Sequence, residues 1–153
     1  VPDPYVDHVD ACLLFMRQWR VRELLVEAPV ASRAHRYAGT LDLIADLGDG
    51  HRWLLDWKTK KGEPWPEDAL QLAGYRFADF ALVDGAEVPL VDYRIERCGI
   101  VWLRADGYDL IPIEADEEAF IAFRAAKHLA HFRADPRDRW VGEYLQPLAE
   151  AGA

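Results

Sequence analysis

The stretch running from Tyr37 to Gly62, YAGTLDLIADLGDGHRWLLDWKTKKG, constrains the chain most. It reads as two strands joined by a three-residue turn at Gly48-Asp49-Gly50, with glycine where a positive φ is needed. That turn sets Leu47 against His51 and Asp46 against Arg52, an opposite-charge cross-strand pair. The same register puts Asp42 opposite Asp56 and Thr40 opposite Lys58. Side chains alternate faces along a strand, so Asp42, Asp56 and Lys58 are expected on one face, with Leu41, Leu43, Leu55 and Trp57 on the other.

Two facing carboxylates repel, and one has its pKa raised unless a cation sits between them. Mg²⁺ takes oxygen ligands and is often held by one or two carboxylates plus waters. A lysine two residues beyond Asp56 completes a set suited to metal-assisted hydrolysis. The competing reading is a solvated strand face with an ordinary ion pair. The second acid counts against that, because an Asp56–Lys58 pair needs no Asp42.

Around this hairpin the sequence predicts a helix over residues 2–19, with Val6, Val9, Leu13 and Met16 at helical spacing, and a strand over 20–32. Pro29 within that strand points to an edge or a bulge. A polar connection at 32–36 leads into the hairpin. Residues 60–66 read as a loop, 66–82 as a helix opened by Pro66 and acids, and 83–92 as another loop. A second hairpin is expected over 97–115, turning at Asp106-Gly107, then a long amphipathic core helix to Ala134 and a short helix over 136–148. The order αβββαββα implies an α/β architecture with a mixed sheet, in one domain of 153 residues.

The net charge of −9 argues against a broad nucleic-acid-binding surface, though not against a local basic site. Cys12 and Cys98 cannot by themselves build a four-thiolate iron–sulfur or zinc centre. No run approaches the roughly 18 apolar residues of a membrane span, and a reduced cytosolic setting is the default expectation. The chain begins with Val rather than Met, so a fragment or processed chain lacking an N-terminal segment is expected.

Gly39-Thr40-Leu41-Asp42, then Asp56-Trp57-Lys58-Thr59, then a helix carrying Gln71 and Tyr75 form an ordered set. It resembles the PD-(D/E)XK nuclease superfamily, and within it the RecB-like exonucleases, including phage-encoded ones. The likeness spans roughly residues 5–132. It implies an αβββαβ core with extra C-terminal elements. It implies Mg²⁺ or Mn²⁺ held by Asp42, Asp56 and the Trp57 backbone carbonyl, with Glu27 as a further acid. It implies Lys58 as the catalytic lysine, and Gln71 and Tyr75 lining the site. DNA is the implied partner and the cytoplasm of a bacterial or phage-infected cell the implied setting, without membrane association or an iron–sulfur cluster; oligomeric assembly stays open. Such enzymes usually carry a histidine ligand on an upstream helix. His8 is the only histidine on the first helix, and its surroundings do not match that motif. The equivalent is therefore expected before Val1, leaving this chain short of a ligand.

Arg33, Arg36, Lys60, Lys61 and Arg76 flank the site in sequence and offer a positive rim for a DNA backbone. His35 reads as a polar loop residue, Trp65 as a loop anchor, and His128 with His131 as ordinary residues rather than a metal pair. Gly74 is expected to let the face of its helix bearing Gln71 and Tyr75 approach the sheet. The leading function is metal-dependent DNA hydrolysis, most simply by an exonuclease in recombination or processing. An endonuclease of the same fold, or a catalytically incomplete domain that binds DNA or a protein, are the alternatives.

Overall fold

The computed structural model describes residues 6–59, 62–135 and 139–142. Helix α1 (Val6–Gln18) precedes three antiparallel strands, β1 (Arg22–Ser32), β2 (Tyr37–Asp46) and β3 (Arg52–Lys58). Helix α2 (Pro66–Arg76), a hairpin of β4 (Phe80–Val83) and β5 (Ala86–Pro89), and a 3-10 turn at Leu90–Tyr93 lead to β6 (Arg97–Arg104). Strand β6 runs parallel to β3; β7 (Gly107–Ile113) returns antiparallel, and α3 (Glu117–Ala134) follows. The result is α/β, with a mixed seven-stranded sheet in the order β5-β4-β1-β2-β3-β6-β7. Among the described residues no helix is long and apolar enough to cross a membrane.

The first hairpin has the register its turn dictates. Leu43 pairs with Leu55, Ile44 with Leu54 and Asp46 with Arg52, whose Nε lies 2.6 Å from the Asp46 carboxylate. Gly50 takes φ 84° in the turn. In the second hairpin Arg104 pairs with Gly107, so the turn residues are Ala105 and Asp106, one position earlier than expected.

The sheet separates two apolar clusters. One, against α2 and α3, holds Leu41, Ile44, Leu54, Leu72, Ile100 and Phe120; the other, against α1, holds Phe15, Leu43, Trp53, Leu55 and Val101. Leu41 therefore does not share a face with Leu43 and Leu55, contrary to strict alternation. The cause is local. Val26 pairs with Leu43 and Ala28 with Leu41, but the intervening Glu27–Asp42 pair is missing, and Glu27 has φ 44°. Both strands skip one step there, and the inward positions jump from Leu25 to Ala28 and from Leu41 to Ile44. Pro29 sits where β1 needs no second neighbour, since β4 pairs only with Val30 and Ala31.

Three further expectations change. Helix α2 ends at Arg76 rather than at Leu82. Phe77 N–H closes on Ala73 O, and Asp79 N–H then bonds Ala31 O, so the chain leaves the helix to extend the sheet. The expected loop that follows is the β4–β5 hairpin, turned by Asp84-Gly85 with φ 50° and 80°. On α1 the buried residues are Ala11 and Phe15, while Val6, Val9 and Leu13 are 49–61% exposed. Phe15 decides this: it meets Trp57 and Tyr108 edge-on, at centroid distances of 5.6 and 5.2 Å. Helix α3 is a core helix only at its start, where Phe120 is buried and Phe123 packs beside it. Most of the expected terminal helix, along with Lys60 and Lys61, lies outside the described residues.

Candidate active site

Strands β2 and β3 stop pairing after Leu43–Leu55, while β3 keeps pairing with β6 through Asp56, Trp57 and Lys58. The ladder thus forks, and the residues of the D-x-K motif line one prong. Asp42 fills the mouth of the fork: its Oδ2 accepts a hydrogen bond from Trp57 N–H at 2.8 Å. In a strand the N–H and C=O of one residue project to the same edge. The Trp57 carbonyl is therefore directed toward Asp42 as well.

Asp56 is 4% exposed, and it stands beside α2. Its Oδ1 accepts from Gln71 Nε2 at 3.0 Å; Gln71 Oε1 accepts from Lys58 Nζ at 3.1 Å; Gln71 Nε2 also reaches Tyr75 Oη at 3.2 Å. Only this orientation of the Gln71 amide suits both neighbours, since a flipped amide would set NH₂ against an ammonium and oxygen against a carboxylate. Lys58 Nζ lies 2.8 Å from Asp56 Oδ2, yet that oxygen is buried without an aligned hydrogen bond. The contact is an ion pair that leaves Asp56 Oδ2 with coordinating capacity.

Asp68 is a member of this group that the sequence reading did not single out. It accepts from Trp65 N–H at 2.9 Å at the start of α2, and its other oxygen lies 3.6 Å from Lys58 Nζ. Its signal was the acid three positions after Trp65, the acidic half of a capping box. Burial pushes the Asp56 carboxyl above its ordinary pKa; Lys58 opposes this, and the negative charges of Asp42 and Asp68 add to it. Burial would lower Lys58, but Asp56 and Asp68 outweigh it and hold the ammonium above its ordinary range. Lys58 is accordingly a cation in this arrangement, fitted to orient a water or meet developing negative charge rather than to abstract a proton.

Gly39 explains how Tyr75 reaches the group. A Cβ at Gly39 would stand 2.8 Å from Tyr75 Cε1, so the ring occupies the space a side chain would need. Gly74 serves a different contact from the one expected. A Cβ there would meet the Phe123 ring at 3.0 Å, and Gly74 O accepts from Tyr37 Oη at 2.8 Å. The missing side chain makes room for Phe123 of α3, while Tyr37 of β2 holds the Gly74 carbonyl from the sheet side.

The remaining candidates divide. Glu27 is exposed and stands across from Asp42 at the skipped ladder position. Arg36 is exposed. Arg33 is bound through both terminal nitrogens to Glu87 and lies over the Phe80 ring, so it ties the β1–β2 connection to β5 instead of lining the site. Arg76 donates to Ala115 O at 3.2 Å and Ile95 O at 3.4 Å, anchoring the far end of α2. His8 shares the inward face of α1 with Ala11 and Phe15, and its Nδ1 is buried without a partner among the described residues. His128 and His131 are exposed, and among the described residues no three His, Cys, Asp or Glu converge as a preformed metal cluster. The donor set at the fork is two carboxylates and a backbone carbonyl, with one carboxylate oxygen unpartnered by hydrogen bonds; this suits Mg²⁺ or Mn²⁺, which complete their shells with water. No protein-family model matches the chain, and no curated protein matches it significantly.

Proposed function

We propose that the chain is a Mg²⁺- or Mn²⁺-dependent deoxyribonuclease of the PD-(D/E)XK superfamily, of the RecB-like exonuclease type. The carrying observation is the fork in which Asp42, Asp56 and Lys58 meet, braced by Gln71 from α2. The element order supports it: a helix, three antiparallel strands, a helix, then a strand parallel to the third.

Asp42, Asp56 and the Trp57 carbonyl would hold the metal, which when bound supplies Lewis-acid polarisation of a phosphoryl oxygen and a more acidic water. Lys58 orients the attacking water and faces the charge that builds on the phosphate. Gln71 fixes Lys58 and Asp56 relative to each other, and Tyr75 steadies the amide of Gln71. A second reading rests on the Lys58–Asp56 contact at 2.8 Å. It is that of a structural ion pair in a domain that binds DNA or a protein without cutting.

End-labelled linear DNA and covalently closed circular DNA, incubated with Mg²⁺, Mn²⁺ or EDTA, separate these readings. An exonuclease degrades only the linear form, needs metal, and loses activity in Lys58→Ala. Metal-dependent nicking of the circle would make the enzyme an endonuclease. No cleavage of either form under any condition, with wild type folded, would leave the binding domain.

A further inference from the structure

The second half of α3 is basic although the chain as a whole is acidic. From Arg124 to Arg133 it carries Arg124, Lys127, His128, His131 and Arg133, and no acid. Helices α2 and α3 pack side by side, with Phe77 stacked on Phe120 at 5.0 Å and Gly74 against Phe123, and beyond Phe123 most of α3 is exposed. Lys127 Nζ donates to His35 O at 2.6 Å and clasps the β1–β2 connection to the helix. Between them lies a groove of about 1030 Å³. Arg36, Arg124 and His131 line it, and it also holds the Phe132 and Trp140 rings, 4.6 Å apart and 45% and 49% exposed. Among the described residues its one carboxylate, Asp135, is paired with Arg139 at 2.7 Å.

Cations tracking a groove beside half-exposed aromatic rings are what a single nucleic-acid strand requires: phosphates meet the charges, and bases stack on the rings, here in place of Arg139, which lies over Trp140 at 4.7 Å. The placement relative to the fork agrees. Strand β2 begins beside Arg36 and reaches Asp42 six residues on, about 20 Å at roughly 3.4 Å per residue. The β1–β2 connection also lies at the end of the sheet where β3 finishes at Lys58.

The geometry points to a single-stranded DNA groove between α3 and the β1–β2 connection, holding the strand a few nucleotides from the phosphate at the fork. The link to the fork rests on the nuclease reading; the binding itself does not. Fluorescence anisotropy of labelled (dT)₁₅ in EDTA reads binding without turnover. Wild type binds, with affinity falling steeply as salt rises. Combining Arg36→Asn with Arg124→Ala weakens binding at least about tenfold and flattens the log–log salt slope by about 1.4, near 0.7 per phosphate contact. Trp140→Ala weakens it about 5- to 150-fold, the range for one stacked base. All three positions are exposed, so the fold survives. Hydrolysis of thymidine 5′-p-nitrophenyl phosphate, too short to reach the groove, stays at wild-type rate in the single variants Arg124→Ala and Trp140→Ala. Wild type that fails to bind, variants that bind as wild type does, or equal affinity for polyglutamate or duplex would overturn the groove. Binding without any cleavage would retire the nuclease reading alone.

Discussion

Asp42 Oδ2 bonds the Trp57 backbone N–H at 2.8 Å where β2 and β3 part, so the first acid of the site also closes the end of its own hairpin. Across the sheet Glu27 faces Asp42 at φ 44°, a conformation that costs a non-glycine residue of order 1–3 kcal/mol and recurs at functional sites. Glycine within a strand ordinarily costs about 0.5–1 kcal/mol. Glu27→Gly is therefore expected to leave the urea midpoint unchanged or raised, whereas Val30→Gly on the same strand lowers it. Glu27→Gln keeps the same backbone strain and is expected to leave the urea midpoint at the wild-type value.

Gln71 is the hub joining Lys58, Asp56 and Tyr75. Gln71→Ala removes the only aligned hydrogen bond of the Asp56 side chain among the described residues and is expected to destabilise the fold by about 1–3 kcal/mol. Gln71→Glu adds a further acid beside Asp56 and Asp68, raising the Asp56 pKa further. Its metal-dependent activity should rise with pH over a range where wild type is already flat, a difference that a pH–rate profile reveals.

The 2.8 Å approach of Tyr75 to the Cβ position of Gly39 predicts a specific coupling. Gly39→Ala should cost about 1–3 kcal/mol through overpacking. In a Tyr75→Ala background the same change should cost much less, and the double-mutant cycle measures the difference by chemical denaturation. Additivity would mean that the two do not touch.

Asp79 gives a pH dependence with a defined sign. Burial pushes its carboxyl up, but the Ala34 N–H, the Ser32 hydroxyl and the Arg33 N–H outweigh that and hold it below the ordinary carboxylate range. A group whose folded pKa is depressed contributes stability above its unfolded pKa and loses it as pH falls through the folded one. The stability difference between wild type and Asp79→Asn should be constant at neutral pH and shrink below about pH 4. Urea titrations across that range check it.

The hairpin was legible as far as Leu43–Leu55 because its signals are local and agree: Gly50 suits the turn, and Asp46 pairs with Arg52; the expected Asp42–Asp56 and Thr40–Lys58 pairings fall where the ladder has already opened, and Asp42 bonds the Trp57 N–H instead. The phase of Leu41 was not, because the skipped step depends on Glu27 in a neighbouring strand, and nothing in either strand alone announces it. The end of α2 was misplaced because FADFAL continues a helical apolar spacing; Asp79 overrides that by binding the β1–β2 connection. The Asp-Gly at 84–85 was a hairpin-turn signal inside the stretch expected as a plain loop. Arg33 and Arg76 were drawn toward the site by proximity in sequence, but their partners, Glu87 and the Ala115 carbonyl, are distant in the chain and invisible to a local reading. Val6, Val9 and Leu13 matched a helical stripe, yet burial went to Phe15, which has aromatic partners on β3 and β7.

The most direct test of the account is Mn²⁺-dependent release of acid-soluble nucleotides from linear DNA by wild type and by Asp56→Asn, each first checked for folding by far-UV circular dichroism. The account predicts release by wild type that EDTA abolishes, and a loss of at least about a hundredfold in the folded variant. Equal release by the two proteins, or release that persists in EDTA, would contradict it.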